Sequence, residues 1–370
     1  MKGNSREIEA NFLSSYYQQD GNNGAVTGGI DTEKLNDISN VVIINIPLDS
    51  INSVSLYGGA DYYSSASTDN IDNVMSSASS SDVRGFGTIS YSRKNLHKNE
   101  TYGIHVGYSG EYDYTSINGG LSYTKEWNEG NSEINLRGQL FVDQWKLIYP
   151  AELRGTELLT SRDRKSYNGQ LNFSQVINKR MQMSVSGEVV YMTGLLSTPF
   201  HRVYFADAMA PDIERLPDNR LKIPLGVRFN IYPIQNLIVR TYYRYYWDDF
   251  GINANTMELE VAVKLGNAFT ISPFYRYHTQ TAADYFAPYQ THLSTDVFYT
   301  SDYDLSALNS HKFGLGLRYS PLYGLLRSKP FLPGKRMFMV KYLEMRGGYY
   351  SRSTGLTAFF MSLNVGLSVK

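Results

Sequence analysis

Leu237-Ile238-Val239-Arg240-Thr241-Tyr242-Tyr243-Arg244-Tyr245-Tyr246-Trp247-Asp248 is the stretch that decides the fold. Its odd positions are Leu, Val, Thr, Tyr, Tyr and Trp; its even positions carry Arg240, Arg244 and Asp248. One face is apolar and ends in aromatic rings, and the other is charged. Side chains of a strand point alternately to opposite faces, so period two means strand. Helical spacing would scatter the charges around every face. The next segment repeats the design: Met257, Leu259, Val261, Val263 and Leu265 alternate with Glu258, Glu260, Ala262 and Lys264.

The same alternation runs outward in both directions. Ile104, Val106 and Tyr108 alternate with His105 and Ser109, and Met181, Met183 and Val185 alternate with Gln182 and Ser184. Strand segments start near Ile8, Asn40, Asn52, Arg84, Glu100, Tyr114, Asn131, Ser166, Met181, Leu221, Asn236, Ile252, Ala268, Ser310, Arg336 and Gly355. Each is about ten to fourteen residues long, enough to cross a bilayer when tilted. The expected fold class is all-β: a transmembrane antiparallel up-and-down β-barrel of about sixteen strands. Residues 1–370 read as one domain, with long loops near 19–39, 65–83, 147–165, 194–220 and 281–309. Short turns fall between them at the opposite strand ends. An even strand count with external long loops puts both termini in the periplasm. The connection Pro321–Pro333 is long for a periplasmic turn.

Composition agrees. The chain has 31 Tyr and no Cys, and a hydrophobic fraction of 42%. Its mean hydropathy is -0.35. A wall with every second residue in oil and the others in water averages to polar. No run of about eighteen apolar residues is present, so no transmembrane helix is expected. Net charge is zero, which gives no bulk attraction to nucleic acid. The absence of Cys excludes disulfides and thiolate chemistry. The segment Met1 to Glu7 has no apolar centre, so a secretory leader is expected to have been removed from this numbering.

Several motifs resemble one family. They are Thr198-Pro199-Phe200-His201-Arg202-Val203-Tyr204-Phe205, Glu214-Arg215-Leu216-Pro217, Tyr242 to Ile252, Tyr275 to Phe286, and Asp61 to Ser67 followed by Asp72. In this order they resemble the uncharacterised outer-membrane barrels of the domain-of-unknown-function type numbered thirty-five-seventy. The resemblance covers most of the chain and implies a barrel in the cell envelope, with no established activity. Family genes often neighbour those for a small lipoprotein, a thioredoxin-like protein and a flavin transferase. The partners so implied are the lipid bilayer and a small lipoprotein or other envelope proteins. Many barrels end in an aromatic residue; this chain ends Ser368-Val369-Lys370.

Five constellations are candidates for function. Arg240, Arg244, Glu258, Glu260, Lys264 and Arg276 should form an inward charge ladder on three consecutive strands. Such a ladder either sorts solutes by charge or fills the wall with salt bridges, and balanced signs would favour the filling. His201, Arg202 and Asp207 lie on a long Pro-stiffened loop, and Asp249, His278 and Asp284 should share its rim as ligand or partner candidates. Asp69 and Asp72 are weak calcium candidates without a full calcium-loop spacing, so no cofactor is expected beyond that one option. Rim Ser, His and Asp residues suit an outer-membrane hydrolase, but no Gly-x-Ser-x-Gly or His-Glu-x-x-His motif occurs, so no enzyme is expected. Outward Tyr243, Tyr245 and Trp247 should form an interfacial girdle, while Tyr242 and Tyr246 face inward. The function expected from these residues is a channel, or the barrel subunit of an envelope export or assembly complex. The alternatives are the hydrolase and a soluble β-rich protein.

Overall fold

A computed structural model describes residues 7–65, 81–153, 160–328 and 337–369. Sixteen long strands form one antiparallel sheet. They are β1 (Ile8–Asp20), β2 (Leu35–Pro47), β3 (Asn52–Ser65), β4 (Asp82–Asn95), β5 (Glu100–Gly110), β6 (Tyr114–Trp127), β7 (Ser132–Lys146) and β8 (Ser161–Asn178). The ring continues with β9 (Met181–Gly194), β10 (Asn219–Ile234), β11 (Leu237–Asp248), β12 (Asn253–Leu265), β13 (Phe269–Gln280), β14 (Leu308–Tyr319), β15 (Phe338–Arg352) and β16 (Thr357–Val369). Each strand pairs with the next, and β1 closes on β16 from Ile8↔Val369 to Asp20↔Thr357. Closure pairs the backbone groups that an open sheet would leave in hydrocarbon at several kcal/mol each. Helix among the described residues is limited to four three-residue 3-10 turns.

The register preserves side-chain parity around the ring. Outward Val239 sits opposite Val261, and Leu259 opposite Tyr275. Inward Arg240 sits opposite Glu260, Glu258 opposite Arg276, and Arg276 opposite Lys312. The outer face is a belt of exposed apolar side chains: Leu121 is 65% exposed, Met257 60% and Leu259 45%. A belt this extensive suits acyl chains rather than water. Tyr102 is exposed near the short-turn end, and Tyr62, Tyr108 and Tyr191 near the other, where amphipathic rings belong.

The first and last described residues, Glu7 and Val369, lie at the short-turn end, with the connections 48–51, 96–99, 128–131, 179–180, 235–236 and 266–268. The longer link from β14 to β15 lies there too. Its Leu326–Arg327 forms a short ribbon against Met339 and Val340. The opposite end carries the long connections, including 21–34, 147–160, 195–218 and 281–307, alongside tight turns at 249–252 and 353–356.

The long loops build a cap with its own core. Leu216, Phe250, Ile252, Ala254 and Ala283 form one buried cluster, and Val203, Phe205 and Tyr299 another. Backbone bridges Phe205↔His292 and Arg215↔Tyr299 stitch loop 195–218 to loop 281–307. Arg202 pairs with Glu152 and donates to the Val26 carbonyl at 2.7 Å, so three loops meet around it. Gly29 has φ +87°, and a Cβ there would lie 2.7 Å from the Ser301 carbonyl oxygen. Gly29→Ala is therefore expected to cost the cap about 1–3 kcal/mol through strain and overlap. Limited proteolysis should cut the 281–307 loop faster while the barrel keeps its heat-modifiable mobility; unchanged cleavage would remove Gly29 from the packing argument.

Candidate functional site

The inner wall from β10 to β15 is basic. Below the cap end, Arg228, Arg240, Arg244, Lys264, Arg276, Lys312, Arg318 and Arg346 share the inward parity of Glu258, Glu260 and Glu344, with Lys264 and Arg318 close to the short-turn rim. Eight cations thus meet three carboxylates, a surplus of five. Glu260 is buried between Arg240 and Arg346, the latter at 2.5 Å. Arg346 stands on β15, three strands from β12, so it reaches across the curved interior rather than along one ladder. Arg276 pairs with Glu258 at 2.7 Å and Arg318 with Glu344 at 3.5 Å.

Other cations rest on rings instead of carboxylates. Arg228 lies 5.1 Å from the centroid of Tyr242, Arg244 5.8 Å from Tyr246, and Lys312 4.0 Å from Phe360. A ring face attracts a cation without cancelling its charge. Arg240 and Arg276 point inward yet their side chains are 44% and 43% exposed, so the lumen at this height admits water. A cavity of about 280 Å³ opens there beside Arg228, Tyr242 and Arg346. The wall across from it is largely neutral and polar. Ser53 and Ser92 share a hydroxyl bond of 2.7 Å, Asn135 donates to Thr124 at 2.7 Å, and Gln139 meets His105 at 3.0 Å. Glu260→Gln should raise any anion preference of the lumen, because it frees Arg240 and Arg346 together. The reversal potential in a salt gradient reads this out; a move toward cations would contradict the wall assignment.

A second cluster lies in the cap. His201 Nδ1 stands 3.6 Å from Glu214 Oε1 and 3.9 Å from Asp302 Oδ2. Glu214 is buried and accepts from the Thr198 backbone N–H at 2.6 Å and the Thr300 hydroxyl at 2.5 Å. Burial pushes its carboxyl up, but His201 and these donors hold it below the usual range. Burial pulls the His201 imidazole down, and Glu214 and Asp302 overcome this and raise it. Burial raises the Asp302 carboxyl to about 6 against the pull of His201, with Asp304 and Glu214 adding to the rise.

A family model described as protein of unknown function, DUF3570, matches residues 4–322. The chain belongs to this family. No protein of curated function matches it in sequence.

The DUF3570 barrel sorts the expected site residues into separate places. Of the ladder, Arg240 pairs with Glu260 and Arg276 with Glu258. Arg244 and Lys264 have no ion pair among the described residues, and the signs are not balanced: the six ladder residues are four cations and two carboxylates, and neighbouring strands add further cations. His201 and Arg202 belong to the cap. Asp207 ties its outer tip to the Ser294 amide and hydroxyl at 2.8 Å each. Asp249 ties a tight turn to β10, accepting from the Leu221 N–H at 3.0 Å. Asp284 joins that turn through its own N–H to the Phe250 carbonyl at 2.8 Å. His278 is not a loop residue: it stands on β13 facing Thr256, 2.9 Å away. Asp69 and Asp72 lie outside the described residues.

Among solved structures, the DUF3570 chain is similar to the siderophore receptor PirA of Pseudomonas aeruginosa. Identity is 11% over 99% of this chain and 81% of that one, with a TM-score of 0.45. A bacterial polysaccharide outer membrane secretin shows 11% identity over 96% and 97% of the two chains, TM-score 0.47. A mutant ferric enterobactin receptor of Pseudomonas aeruginosa shows 13% identity over 95% of this chain but only 54% of its own length, TM-score 0.47. At these values the likenesses carry no argument beyond the strand pairing already described.

Sequence reading missed Arg346 and the union of His201 with Asp302. Arg346 has the inward parity of its strand, but its reach to Glu260 depends on barrel curvature. Asp302 sits in a loop whose contact with loop 195–218 has no local signal.

Proposed function

We propose that this DUF3570 barrel resides in the outer membrane and passes small anionic solutes through an aqueous lumen. The observation that carries the reading is the inward surplus of cations at side chains that remain open to water. Rings of Arg and Lys favour anions in a low-dielectric tube, where focusing strengthens their field. The short turns and both chain ends face the periplasm, and the loop cap faces outside. The reading assigns no chemistry to the barrel, so a serine-directed hydrolase probe should label nothing. Purified protein in planar bilayers under a potassium chloride gradient is expected to give discrete conductance with an anion-selective reversal potential. A silent bilayer or cation preference would overturn the reading.

A second reading is the barrel subunit of an envelope complex. It is favoured by Leu322, Tyr323 and Leu326, which are 82%, 72% and 69% exposed in the link at the short-turn end. Polar replacement of all three should then release a co-purifying lipoprotein or periplasmic partner; purification without any such companion counts against it.

A further inference from the structure

The cap cluster has a geometry that ion pairing alone does not explain. His201 Nδ1 is buried and has no hydrogen-bond partner among the described residues. Its two carboxylate neighbours, at 3.6 and 3.9 Å, stand beyond hydrogen-bond reach. One ligand atom from each of His201, Glu214 and Asp302 lies within 4.8 Å of the others. A tetrahedral ion with bonds of about 2.0–2.2 Å separates its ligand atoms by roughly 3.3–3.6 Å, so small side-chain shifts would close the set around one centre.

We propose that His201, Glu214 and Asp302 form a binding site for a divalent transition-metal ion of the zinc class, cross-linking loop 195–218 to loop 281–307. One imidazole and two carboxylates make a mixed nitrogen and oxygen set suited to such an ion. The outer contacts are those that orient ligands: Thr300 and the Thr198 N–H fix the Glu214 carboxylate, and the Asp304 N–H holds Asp302 Oδ1 at 2.8 Å. The Glu214 side chain is 2% exposed, whereas His201 and Asp302 are 15% and 23% exposed. The ion therefore has an entry path, and water can complete its coordination. The site is independent of the lumen cations and stands or falls apart from the channel reading.

The test uses the full chain in detergent, stripped with a chelator and titrated with zinc chloride against a chromophoric competitor. One zinc per chain is expected, with at least tenfold preference over calcium and magnesium. His201→Gln and Asp302→Asn should each weaken binding at least 100-fold, and Thr300→Val about 10- to 100-fold. His97→Gln, in a turn at the other end, should leave it unchanged. Zinc should also slow proteolysis of the 281–307 loop in the parent and not in His201→Gln. Heat-modifiable mobility verifies that each barrel is folded. Absence of stoichiometric zinc uptake by the parent overturns the proposal, as does equal uptake by folded His201→Gln and Asp302→Asn or equal affinity for calcium.

Discussion

Leu259→Arg is expected to destabilise the inserted barrel by about 2–4 kcal/mol, the cost of a cation on the lipid face near the bilayer midplane. Leu259 is the seventh of the thirteen residues of β12, between outward Thr241 and Tyr275, and its side chain is 45% exposed. Arginine there must snorkel or draw water into the hydrocarbon. Gln170→Arg places the same charge on the inward face of β8, opposite Arg137 and Glu188, where water is available. That change should stay within about 0.5 kcal/mol, as for ordinary wet surfaces. Urea unfolding from lipid vesicles measures both. Equal costs would mean that the two faces do not meet different media.

The second large effect concerns selectivity. Arg228, Arg244 and Lys264 line the basic wall without an ion pair among the described residues. Replacing all three with Glu turns a surplus of five cations into an excess of one carboxylate. The reversal potential in a salt gradient should then change sign, from anion-selective toward cation-selective. Raising the salt to about 1 M, where the Debye length is about 3 Å, should shrink the difference between parent and variant. A reversal potential that ignores the triple replacement would leave the wall without a role in permeation.

Much of the fold is legible in the sequence because oil and water alternate along each strand at mid-membrane. Leu237 to Asp248 and Met257 to Leu265 read correctly, face by face. Errors collect where strands leave the hydrocarbon. β2 begins at Leu35 rather than near Asn40, and β8 at Ser161 rather than near Ser166. Arg162, Asp163, Arg164 and Lys165 look like a loop by composition, yet they continue the ladder, with Arg164 paired to Asp143 at 2.9 Å. Outside the bilayer, both faces of a strand can be polar, so period two fades while the backbone pairing persists. The ladder was legible as an inward face but not as a charge balance, because that balance includes Arg228, Lys312, Arg318 and Arg346 on other strands. The cap cluster was least legible. Loop contacts between His201 and Asp302 follow from tertiary packing, which no spacing encodes.

The chain's lack of Cys permits a direct test of the wall itself. Single Cys replacements from Met257 through Val263, made in protein held in membranes, can be offered a membrane-impermeant thiol reagent and, separately, spin-labelled for collision with oxygen dissolved in lipid. The two faces should behave differently: Met257, Leu259, Val261 and Val263 meet oxygen and resist the aqueous reagent, while Glu258 reacts from the water-filled side and Glu260 and Ala262, buried beneath inward neighbours, stay shielded from lipid oxygen. Uniform labelling along the segment, or protection of both faces from lipid and water alike, would contradict a closed barrel with an aqueous interior.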